Sequence, residues 1–547
     1  MAQIKIPVLV VGGGPVGLIL SMELASRGVQ CLLVNERETT STHPKGSSLN
    51  CRTMETVRRL GFADQVRNTG VPPDHPTDVI YVTRFAGHEL ARIKMQTGRE
   101  KTENPGPWGA TLLTPEPMHR SNQFYFEAVF KARADSFDEA DLRFGWRLLS
   151  FAQHADHVEA EIEDIKSGQR AEVVADYMVG CDGGQSMVRR QLGFNYAGRS
   201  SSGKNFYDGD MISAYMRAPQ VYDVLGMPVG WHYLTVNNDF RTDCITLDGK
   251  GDFLMLAELP KGKSIDQIDA VAMFRNAVGA DIPIEAVSVQ DWIAGLALVA
   301  DGYQAGRVFL AGDAVHLFTP SGGFGFNTGI DDAVNLGWKL AAVAEGWGGA
   351  GLLDSYEAER RPIGIRNTNE SGRLAAQIGD LKFPENIEDE DQAGAAARVE
   401  FGEELMKFKE EFASLGIQLG ARYDGSAIIA DDGTAPPPDQ AVDYIPSACP
   451  GGRAPHYWIE DRHSLYDAFG PWFTLLRLGA KAGSGDALIA EAARRGIPVQ
   501  VADVAEDGAR DLYQRDLALI RPDQHVAWRG DREPDDPEKL WNRVTGR

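Results

Sequence analysis

The sequence has few cysteines and no long hydrophobic run, and these two absences narrow what the chain can be. The 547 residues include five cysteines with no Cys-x-x-Cys pair, so neither a disulfide framework nor a zinc site is indicated. This usage fits a protein of the reducing cytoplasm. No segment approaches the ~18 apolar residues of a membrane-spanning helix. The N-terminus shows no signal-peptide pattern, so we expect no membrane partner.

Positive charge is also in deficit. Lysine and arginine number 55 against 78 aspartates and glutamates, a formal net charge of −23, which argues against a nucleic-acid partner. An anionic ligand must therefore be held by local backbone N–H groups, helix N-termini and a few placed arginines. The hydrophobic fraction of 43% is ordinary for a globular protein. The length predicts about three or four domains.

Apolar periodicity at the N-terminus predicts a βαβ unit. Residues 6–11 predict a buried strand, residues 18–26 a helix that stops before Gly28, and residues 29–34 a second strand. Parallel strands joined through a helix imply a sheet covered on both faces, so the chain begins as an α/β fold.

A glycine-rich turn joins the first predicted strand to the helix. Its six residues, starting at Gly12, form a G-x-G-x-x-G motif, which permits a tight bend, close approach of a pyrophosphate and close helix packing. Glu36 ends the second strand, where its carboxylate would accept a hydrogen bond from a ribose hydroxyl. The unit predicts a dinucleotide site. The predicted binding residues are Gly12, Gly14, Pro15, Gly17, Glu36 and Arg37.

Two further motifs follow strands later in the chain. Asp182 and Gly183 end an alternating strand and, taken alone, are equally consistent with a hairpin turn. Gly312 and Asp313 follow an apolar strand, at the edge where open α/β sheets bind ligands. A glycine-rich loop comes next, and Asn327 is expected to cap the long helix after it. The N-terminus of that helix suits negative charge on a cofactor. The predicted cofactor residues here are Gly312, Asp313, Pro320, Gly323, Gly325, Phe326 and Asn327.

With these three motifs in this order, the sequence resembles the class A (single-component) flavoprotein aromatic hydroxylases, which include para-hydroxybenzoate hydroxylase and phenol hydroxylase. The resemblance extends through Arg361. The segments 450–456 and 521–523 resemble the C-terminal domain of the branch with 3-(3-hydroxyphenyl)propionate hydroxylase and 2-hydroxybiphenyl monooxygenase. The resemblance implies a Rossmann-like FAD-binding domain, an inserted, mainly antiparallel β-sheet substrate domain and a C-terminal thioredoxin-like domain.

The resemblance and the patterning together suggest the domain boundaries. Between about residues 205 and 300 the pattern predicts strands and no helix of any length. The expected domains are a discontinuous FAD-binding domain at 1–75, 112–189 and 295–385, a substrate-binding sheet at 76–111 and 190–294, a helical segment and linker at 386–440, and a thioredoxin-like domain at 441–547.

The resemblance also implies roles for individual residues. Arg52 would lie near the pyrophosphate and the flavin edge, and Gln123 would contact the sugar chain of the flavin. Asp182 and Gly183 would serve both FAD and the nicotinamide cofactor. Asp313 would bind the ribityl chain, and the loop 320–327 would line the isoalloxazine ring. Taken singly, Arg52 and Gln123 are also consistent with solvated helix residues.

The implied activity is FAD-dependent hydroxylation of a phenolic substrate by O2, through a C4a-hydroperoxyflavin, with NADPH or NADH as co-substrate. Deprotonating a phenol raises its reactivity, so a general base is expected. His43 is the candidate; the alternative is a loop histidine with a fixed hydrogen bond. Pro320 and Arg241 are the other catalytic candidates. The predicted substrate contacts are Trp231, His232, Tyr233 and Tyr207. No metal ligand is expected.

Two other functions remain open. A flavin-dependent halogenase shares the fold, but it would need a Trp-x-Trp-x-Ile-Pro segment, which this sequence does not contain. A non-catalytic FAD-binding protein is disfavoured by the intact Asp313 and the loop 320–327. We expect a cytoplasmic homodimer. The sequence names neither the aromatic compound nor the preferred nicotinamide cofactor.

Overall fold

The computed structural model describes residues 2–103, 110–200, 208–379, 382–460 and 463–547. Tyr207, one of the predicted substrate contacts, lies outside these ranges. Within the described residues, no helix is long and apolar enough to cross a membrane.

The first layer is an eight-stranded sheet with a parallel centre, as the α/β prediction requires. Its strand order is Gln304–Ala305, Val308–Leu310, Arg170–Gly180, Ala2–Val11, Cys31–Asn35 and Ala140–Phe144, with Trp146–Gln153 and Val158–Asp164 attached through Arg170–Gly180. The strands Val308–Leu310, Arg170–Gly180, Ala2–Val11 and Cys31–Asn35 run parallel. Parallel strands end at one edge of a sheet, so the three sequence motifs meet there.

Helices cover this sheet and carry the motif residues at their N-termini. The helix Pro15–Ala25 is buried over its whole length and packs against Gln123–Ala134 and Gly325–Ala344. Its burial on all sides explains why its residues are mostly apolar, with Ser21 and Glu23 as the buried polar exceptions. The helix Gly325–Ala344 also follows the predicted pattern of strand, glycine loop and long helix.

The second layer is a seven-stranded sheet. Its order is Glu285–Ile293, Asp210–Arg217, Asp252–Glu258, Arg241–Thr246, His232–Val236, Val79–Val82 and Glu89–Ile93. Its pairs are antiparallel except for His232–Val236 with Val79–Val82, which confirms the mainly antiparallel inserted sheet. One face packs against the helix Ala270–Val278 and the other against Gln392–Leu405 and Met406–Phe412.

Two expectations for this region were wrong. A nine-residue helix, Ala270–Val278, lies within the segment for which no helix was predicted. Asp269 caps it by accepting a hydrogen bond from the Ala272 N–H, and Gly279 ends it at φ +76°. The strand Tyr196–Arg199, grouped by sequence with the substrate sheet, pairs instead with Ala297–Ala300.

The C-terminal domain is a four-stranded sheet in the order Val499–Val504, Phe473–Leu478, Leu517–Ile520 and Val526–Gly530. The first pair is parallel and the other two are antiparallel, which is the arrangement expected of a thioredoxin-like domain. The sequence lacks a Cys-x-x-Cys pair, so this domain has no cysteine pair of that kind for a dithiol redox reaction. Its helices are Asp486–Arg494, Asp507–Tyr513 and Pro537–Val544.

A fully buried charge network joins the C-terminal domain to the first layer. Arg521 donates to both carboxylate oxygens of Glu359, at 2.7 and 2.8 Å. Lys339 donates to the same carboxylate at 2.7 Å, and Arg521 also pairs with Asp523. Buried charges are tolerated only when paired, so these contacts fix how the two domains dock.

The remaining elements connect these layers. The other α-helices are Cys51–Arg59, Ala63–Arg67, Gly98–Glu103, Ala110–Leu113, Met187–Gln191, Val221–Val224, Ala350–Gly379 and Leu415–Leu419. The 3-10 helices are Ile265–Gln267, Gly312–Ala314, Ser321–Gly323, Met406–Phe412 and Leu465–Ala468. The remaining strands are His316–Leu317, which pairs with Ala297–Ala300, and the pair Trp458–Glu460 and His463–Ser464.

Candidate active site

Of the three glycines at the G-x-G-x-x-G positions, two are enclosed and one faces open space. A Cβ on Gly12, which has φ +112°, would lie 2.2 Å from the Cys181 carbonyl oxygen, and one on Gly17 would lie 1.9 Å from the Gly12 oxygen. A Cβ on Gly14 would meet no heavy atom within 4 Å. Gly14 therefore borders free space at the start of the helix Pro15–Ala25, whose N–H groups suit a pyrophosphate.

The end of the second strand fixes this turn through a residue that the sequence analysis missed. The Asn35 side-chain oxygen accepts a hydrogen bond from the Gly13 N–H at 3.0 Å. Glu36 and Arg37 follow and are exposed, so the Glu36 carboxylate is free to accept from a ribose hydroxyl. The signal for Asn35 was present, because a polar residue ends an otherwise apolar strand.

The Asp-Gly motif leads into a helix and is not a hairpin turn. One carboxylate oxygen of Asp182 accepts from the Met187 and Val188 N–H groups, at 2.7 and 3.1 Å. The other oxygen is buried with no hydrogen-bond partner among the described residues. Gly183 has φ +78° and open space where a Cβ would lie. Nearby, the Arg189 guanidinium stacks on the Tyr196 ring at 3.8 Å.

The Gly-Asp motif is held from behind by a buried carboxylate. Asp332 accepts from the Gly312 N–H at 3.1 Å, and also from His316 at 2.7 Å and Arg360 at 2.8 Å. Asp313 is exposed, yet the surrounding protein raises the pKa of its carboxyl. This combination is expected of a carboxylate on the wall of a cleft. Asp332 lies inside a long helix, and its sequence position alone does not reveal this contact.

The cation near Asp313 is Lys45, whereas Arg52, predicted near the pyrophosphate and the flavin edge, has other partners. Arg52 is buried and donates to Glu55, to Gln524 and to the Asp523 carbonyl oxygen, so it joins the C-terminal domain and does not face the cleft. This placement corrects the flavin-edge role predicted for Arg52. Lys45, in contrast, is close enough to the Asp313 carboxylate to influence its pKa, and its side chain is exposed.

The loop after Asp313 contains a glycine that borders open space. Gly323 has φ +65° and open space at its Cβ position, and its N–H donates to the Pro320 carbonyl oxygen at 3.1 Å. Helix Gly325–Ala344 begins directly after this loop. Its N-terminus therefore points positive potential toward the space beside Gly323.

Asn327 and Phe326 anchor this loop, and they do not do so as predicted. Asn327 lies within the first turn of the helix, so the capping prediction was wrong. Its amide donates to the Gly323 carbonyl oxygen at 2.8 Å and to the Ser48 carbonyl oxygen at 3.0 Å. Phe326 packs on the Phe126 ring at 5.3 Å. Both side chains connect the start of the helix to neighbouring elements. Gly325 is the first residue of that helix.

Gln123 begins the helix Gln123–Ala134 at the border of the cleft. Its N–H donates to the Gly46 carbonyl oxygen at 2.8 Å. Its side-chain amide donates to Glu127 at 2.6 Å, so one N–H of this amide is already engaged within the helix. The predicted contact with the sugar chain would use the remaining amide groups.

The contacts of His43 favour a loop histidine with fixed hydrogen bonds over a general base. Nδ1 lies 2.7 Å from the Ser288 hydroxyl, and Nε2 lies 2.8 Å from the Ser213 hydroxyl. The ring is buried, and burial together with Lys45 lowers the pKa of His43 to about 4. With both nitrogens engaged by the substrate sheet, the ring has no free position for a substrate proton.

Replacing His43 with Gln tests this interpretation. We expect kcat at pH 8 to fall far less than the ~10²-fold typical of a lost general base. We also expect wild-type unfolding free energy to decrease below pH 6.5, because the folded pKa is depressed and protonation then favours the unfolded chain. The Gln variant should lack this decrease. Denaturant titrations at several pH values measure it, and a ~10²-fold loss of kcat would restore His43 as the candidate base.

The predicted substrate residues divide between the two faces of the second sheet. The Tyr233 ring packs on Phe85, with 4.5 Å between ring centroids, in the core on the side of the helix Ala270–Val278. Its predicted substrate contact was therefore wrong. Alternation along the strand places His232 on the opposite face, toward Phe412 at 5.8 Å between ring centroids. Trp231 lies against the same face.

A buried imidazole–carboxyl pair lies on this face. His232 Nε2 hydrogen-bonds with the Asp243 carboxyl, and Nδ1 is buried without a partner among the residues described. Burial lowers the pKa of His232 to about 3 and raises that of Asp243 well above its usual range. Burial thus disfavours the charged form of both partners. Arg241 begins the same strand, two residues before Asp243, and helps line a cavity with Tyr81.

Glu411 connects this face of the sheet to the glycine loop. Its carboxylate accepts from the Gly322 N–H at 3.3 Å. Burial raises the pKa of Glu411 to about 7, and its charge in turn raises the pKa of Asp243. In the sequence, Glu411 belongs only to the predicted helical segment and linker at 386–440. Nothing local distinguishes it from its acidic neighbours, because its role depends on a contact with a loop 89 residues away.

These features define a dinucleotide-binding α/β protein whose cleft opens toward a second sheet. A family model described as FAD binding domain matches residues 5–371, and one described as aromatic-ring hydroxylase, C-terminal, matches residues 447–547. The chain is 32% identical to 4-methyl-5-nitrocatechol 5-monooxygenase of Burkholderia sp, over 98% of this chain and 96% of that one.

Two solved structures are similar over their full length. RebC, soaked with chromopyrrolic acid and holding 7-carboxy-K252c, is 36% identical with a TM-score of 0.89, and the match covers 100% of both chains. PieE, in complex with FAD and substrate, is 28% identical with a TM-score of 0.89 and the same coverage. The chain belongs to the class A flavoprotein aromatic hydroxylases. It is an oxidoreductase, and its cofactor is FAD.

Proposed function

We propose that this protein hydroxylates a phenolic aromatic substrate with FAD, O2 and either NADPH or NADH. The observation that carries the proposal is the cleft in which Gly14, Gly183 and Gly323 each face open space. All three motifs contribute to one edge of the parallel sheet, so the free space can hold one extended dinucleotide. Bound FAD supplies hydride acceptance and oxygen transfer.

The chain's own groups would bind this cofactor at three places. The N–H groups at the start of the helix Pro15–Ala25 face the pyrophosphate, and Glu36 accepts from the adenosine ribose. Asp313 accepts from the ribityl hydroxyls, with Lys45 close enough to stabilise a nearby anionic group. The loop 320–327 and the helix N-terminus after it stabilise negative charge on the ring.

Glu411 is the proposed proton acceptor for the phenol. It reaches from the substrate side to the Gly322 N–H, so it borders both the ring loop and the sheet face that carries His232. A carboxylate with a pKa near 7 can take a proton at neutral pH, which favours Glu411 over Asp243, whose pKa burial raises well above its usual range. Removing the phenolic proton raises electron density in the ring and makes hydroxylation faster.

A screen of phenols with the FAD-loaded enzyme tests the proposed function. We expect at least one phenol to increase NADPH or NADH oxidation and O2 uptake together, with a product heavier by one oxygen. Oxidation that no phenol stimulates, with FAD bound, would contradict the proposed phenolic substrate. A halogenated product in the presence of chloride would support the halogenase alternative.

We also propose a cytoplasmic homodimer. The five cysteines are all free thiols, and four of them are buried, which suits a reducing compartment. Light scattering of the purified holoenzyme should give twice the 59.7 kDa mass of the chain. A mass of one chain over the working concentration range would contradict the dimer.

A further inference from the structure

Arg120 is a buried cation that has no ion-pair partner among the described residues. The residue is 5% exposed, and its guanidinium stacks on the Trp231 ring at 3.9 Å. Burial lowers the pKa of Arg120 to about 9, and no carboxylate in the described part of the chain offsets this shift. In contrast, the buried Arg521, which joins the C-terminal domain to the first layer, is paired with the carboxylates of Glu359 and Asp523. A buried unpaired charge is costly, so an unpaired arginine indicates a ligand.

The unused donors of Arg120 form one edge of the guanidinium. Nη1 donates to the Ser48 hydroxyl, whereas Nε and Nη2 are buried and have no hydrogen-bond partner among the described residues. Nε–H and Nη2–H point in parallel from one side of the planar group. This is the edge that binds the two oxygens of a carboxylate with two parallel hydrogen bonds.

The contacts of Arg120 place it between the ring loop and the substrate sheet. Ser48, which accepts from Arg120, has its carbonyl oxygen bonded to Asn327 at 3.0 Å, and Asn327 in turn bonds to Gly323. On its other side, Arg120 stacks on Trp231 and is close enough to His232 to lower its pKa. A group bound at the free edge of Arg120 would therefore lie in the substrate region.

A second buried basic side chain lines a cavity with Arg120. Lys101 is 8% exposed, and burial together with Arg120 lowers the pKa of Lys101 to about 7. Both residues line a cavity of about 230 Å³. The other two cations of its wall already have partners, because Arg67 pairs with Glu116 and Arg99 with Asp74. The lining also includes the Glu103 carboxylate, which is exposed and accepts a hydrogen bond from Arg99. Arg120 and Lys101 are therefore the two lysine or arginine side chains of this wall that have no ion pair among the described residues. An anion between them would favour the protonated form of both.

An apolar cavity adjoins this cationic one. It has a volume of about 190 Å³ and is lined mainly by apolar side chains, including Ile93, Met95, Met118 and Phe412. Met118 and Lys101 line both cavities. The two spaces together fit a molecule with an apolar aromatic body and an anionic end.

We infer that Arg120, assisted by Lys101, binds a carboxylate of the aromatic substrate, so that the natural substrate is an aromatic acid. This inference rests on the proposed function and narrows its substrate class. The two parallel N–H donors of Arg120 favour a planar carboxylate. Stacking on Trp231 fixes the plane of the guanidinium, and a bound carboxylate would lie in the same plane. Phe412, which lines the apolar cavity, follows Glu411 in the chain, and the Glu411 carboxylate accepts from the Gly322 N–H. The phenolic end of the same molecule would therefore approach Glu411.

Matched pairs of aromatic probes test the inference with the FAD holoenzyme. Each pair is an acid and its neutral counterpart, hydroxynaphthoate with naphthol and hydroxybenzoate with phenol, and binding is read from the change in the flavin absorption spectrum. We expect wild type to bind the acid of a pair more tightly. Arg120→Met should weaken acid binding by about 30-fold or more and change neutral binding little. Arg120→Lys should restore part of the loss, since it keeps the charge without the fork.

A charge-matched variant separates a specific contact from a general loss of positive charge. Arg99→Met removes one positive charge from the same cavity, at a residue that is half exposed and already paired with Asp74. The acid-to-neutral preference should persist in this variant. Equal loss of acids and neutral probes in Arg120→Met, or no response of the wild-type flavin to either acid, would overturn the inference.

The nicotinamide cofactor is the other anion that could enter this cavity. If Arg120→Met raised the KM for NADPH while acid binding stayed unchanged, the inference would be wrong and the cavity would belong to a phosphate of that cofactor. Stimulation of NADPH oxidation by neutral phenols in Arg120→Met would show that the proposed hydroxylase function stands independently of this site.

Discussion

Replacing Glu411 with Gln is expected to lower kcat for a phenolic substrate by about 10²-fold or more while FAD stays bound. The amide keeps the size of the side chain and can still accept from the Gly322 N–H, so the loop geometry should be preserved. It cannot take the phenolic proton. Stopped-flow and steady-state assays of the purified holoenzyme measure the loss.

The pH profile gives this prediction a second readout. The pKa of Glu411 is about 7, so wild-type kcat should fall as pH drops below 7 and the carboxylate becomes protonated. The Gln variant should lack this limb. The raised pKa also means that Glu411 contributes stability at low pH, below its unfolded pKa, and loses it as pH rises through 7. The unfolding free energy of the Gln variant should not show this loss.

Glu410 provides the matched control for Glu411. It precedes Glu411 in the same 3-10 helix and is exposed, pairing with Arg373 at 3.3 Å. Glu410→Gln removes the same charge and should leave kcat and its pH profile as in wild type. The role of Glu411 would be rejected if the Glu411 variant kept wild-type turnover, or if both variants lost activity equally.

Replacing Gly14 with Val should abolish tight FAD binding without unfolding the protein. A Cβ at Gly14 would meet no heavy atom within 4 Å, and the backbone there is extended, so Val fits the folded chain. The added methyl groups would occupy the space where a pyrophosphate approaches the turn. We expect the FAD affinity to fall by at least ~100-fold, measured by titrating the apoprotein and following flavin fluorescence.

Gly483→Val is the control for the Gly14 variant. Gly483 also has no heavy atom within 4 Å of its Cβ position, but it lies in the C-terminal domain, between the strand Phe473–Leu478 and the helix Asp486–Arg494. This variant should bind FAD as wild type does. Near-wild-type FAD affinity in Gly14→Val would mean that the cleft beside Gly14 is not the cofactor site.

The sequence predicted the parts of the cofactor cleft that depend on local backbone geometry. The βαβ unit, the enclosed Gly12 and Gly17, and the strand before Asp313 all follow from short apolar runs and glycine spacing, which are local signals. The three motifs meet because parallel strands end at one edge of the sheet. Sheet topology therefore converts local patterns into a site.

Side chains whose role depends on distant partners could not be predicted in this way. Arg52 belongs to a motif that suggested a cofactor contact, yet residues more than 470 positions away in the C-terminal domain engage it. Glu411 and Arg120 carry no local signature, because their perturbed pKa values come from burial between elements. The helix Ala270–Val278 was missed although Asp269 and Gly279 mark its ends.

The most direct test of hydroxylation is the origin of the oxygen in the product. The FAD-loaded enzyme is given NADPH, the best phenol of the screen and O2 labelled with heavy oxygen, and the product is weighed by mass spectrometry. We predict one labelled oxygen atom per product molecule, in a new hydroxyl group on the ring. Product without label, or consumption of O2 that yields only hydrogen peroxide and unchanged phenol, would contradict the account.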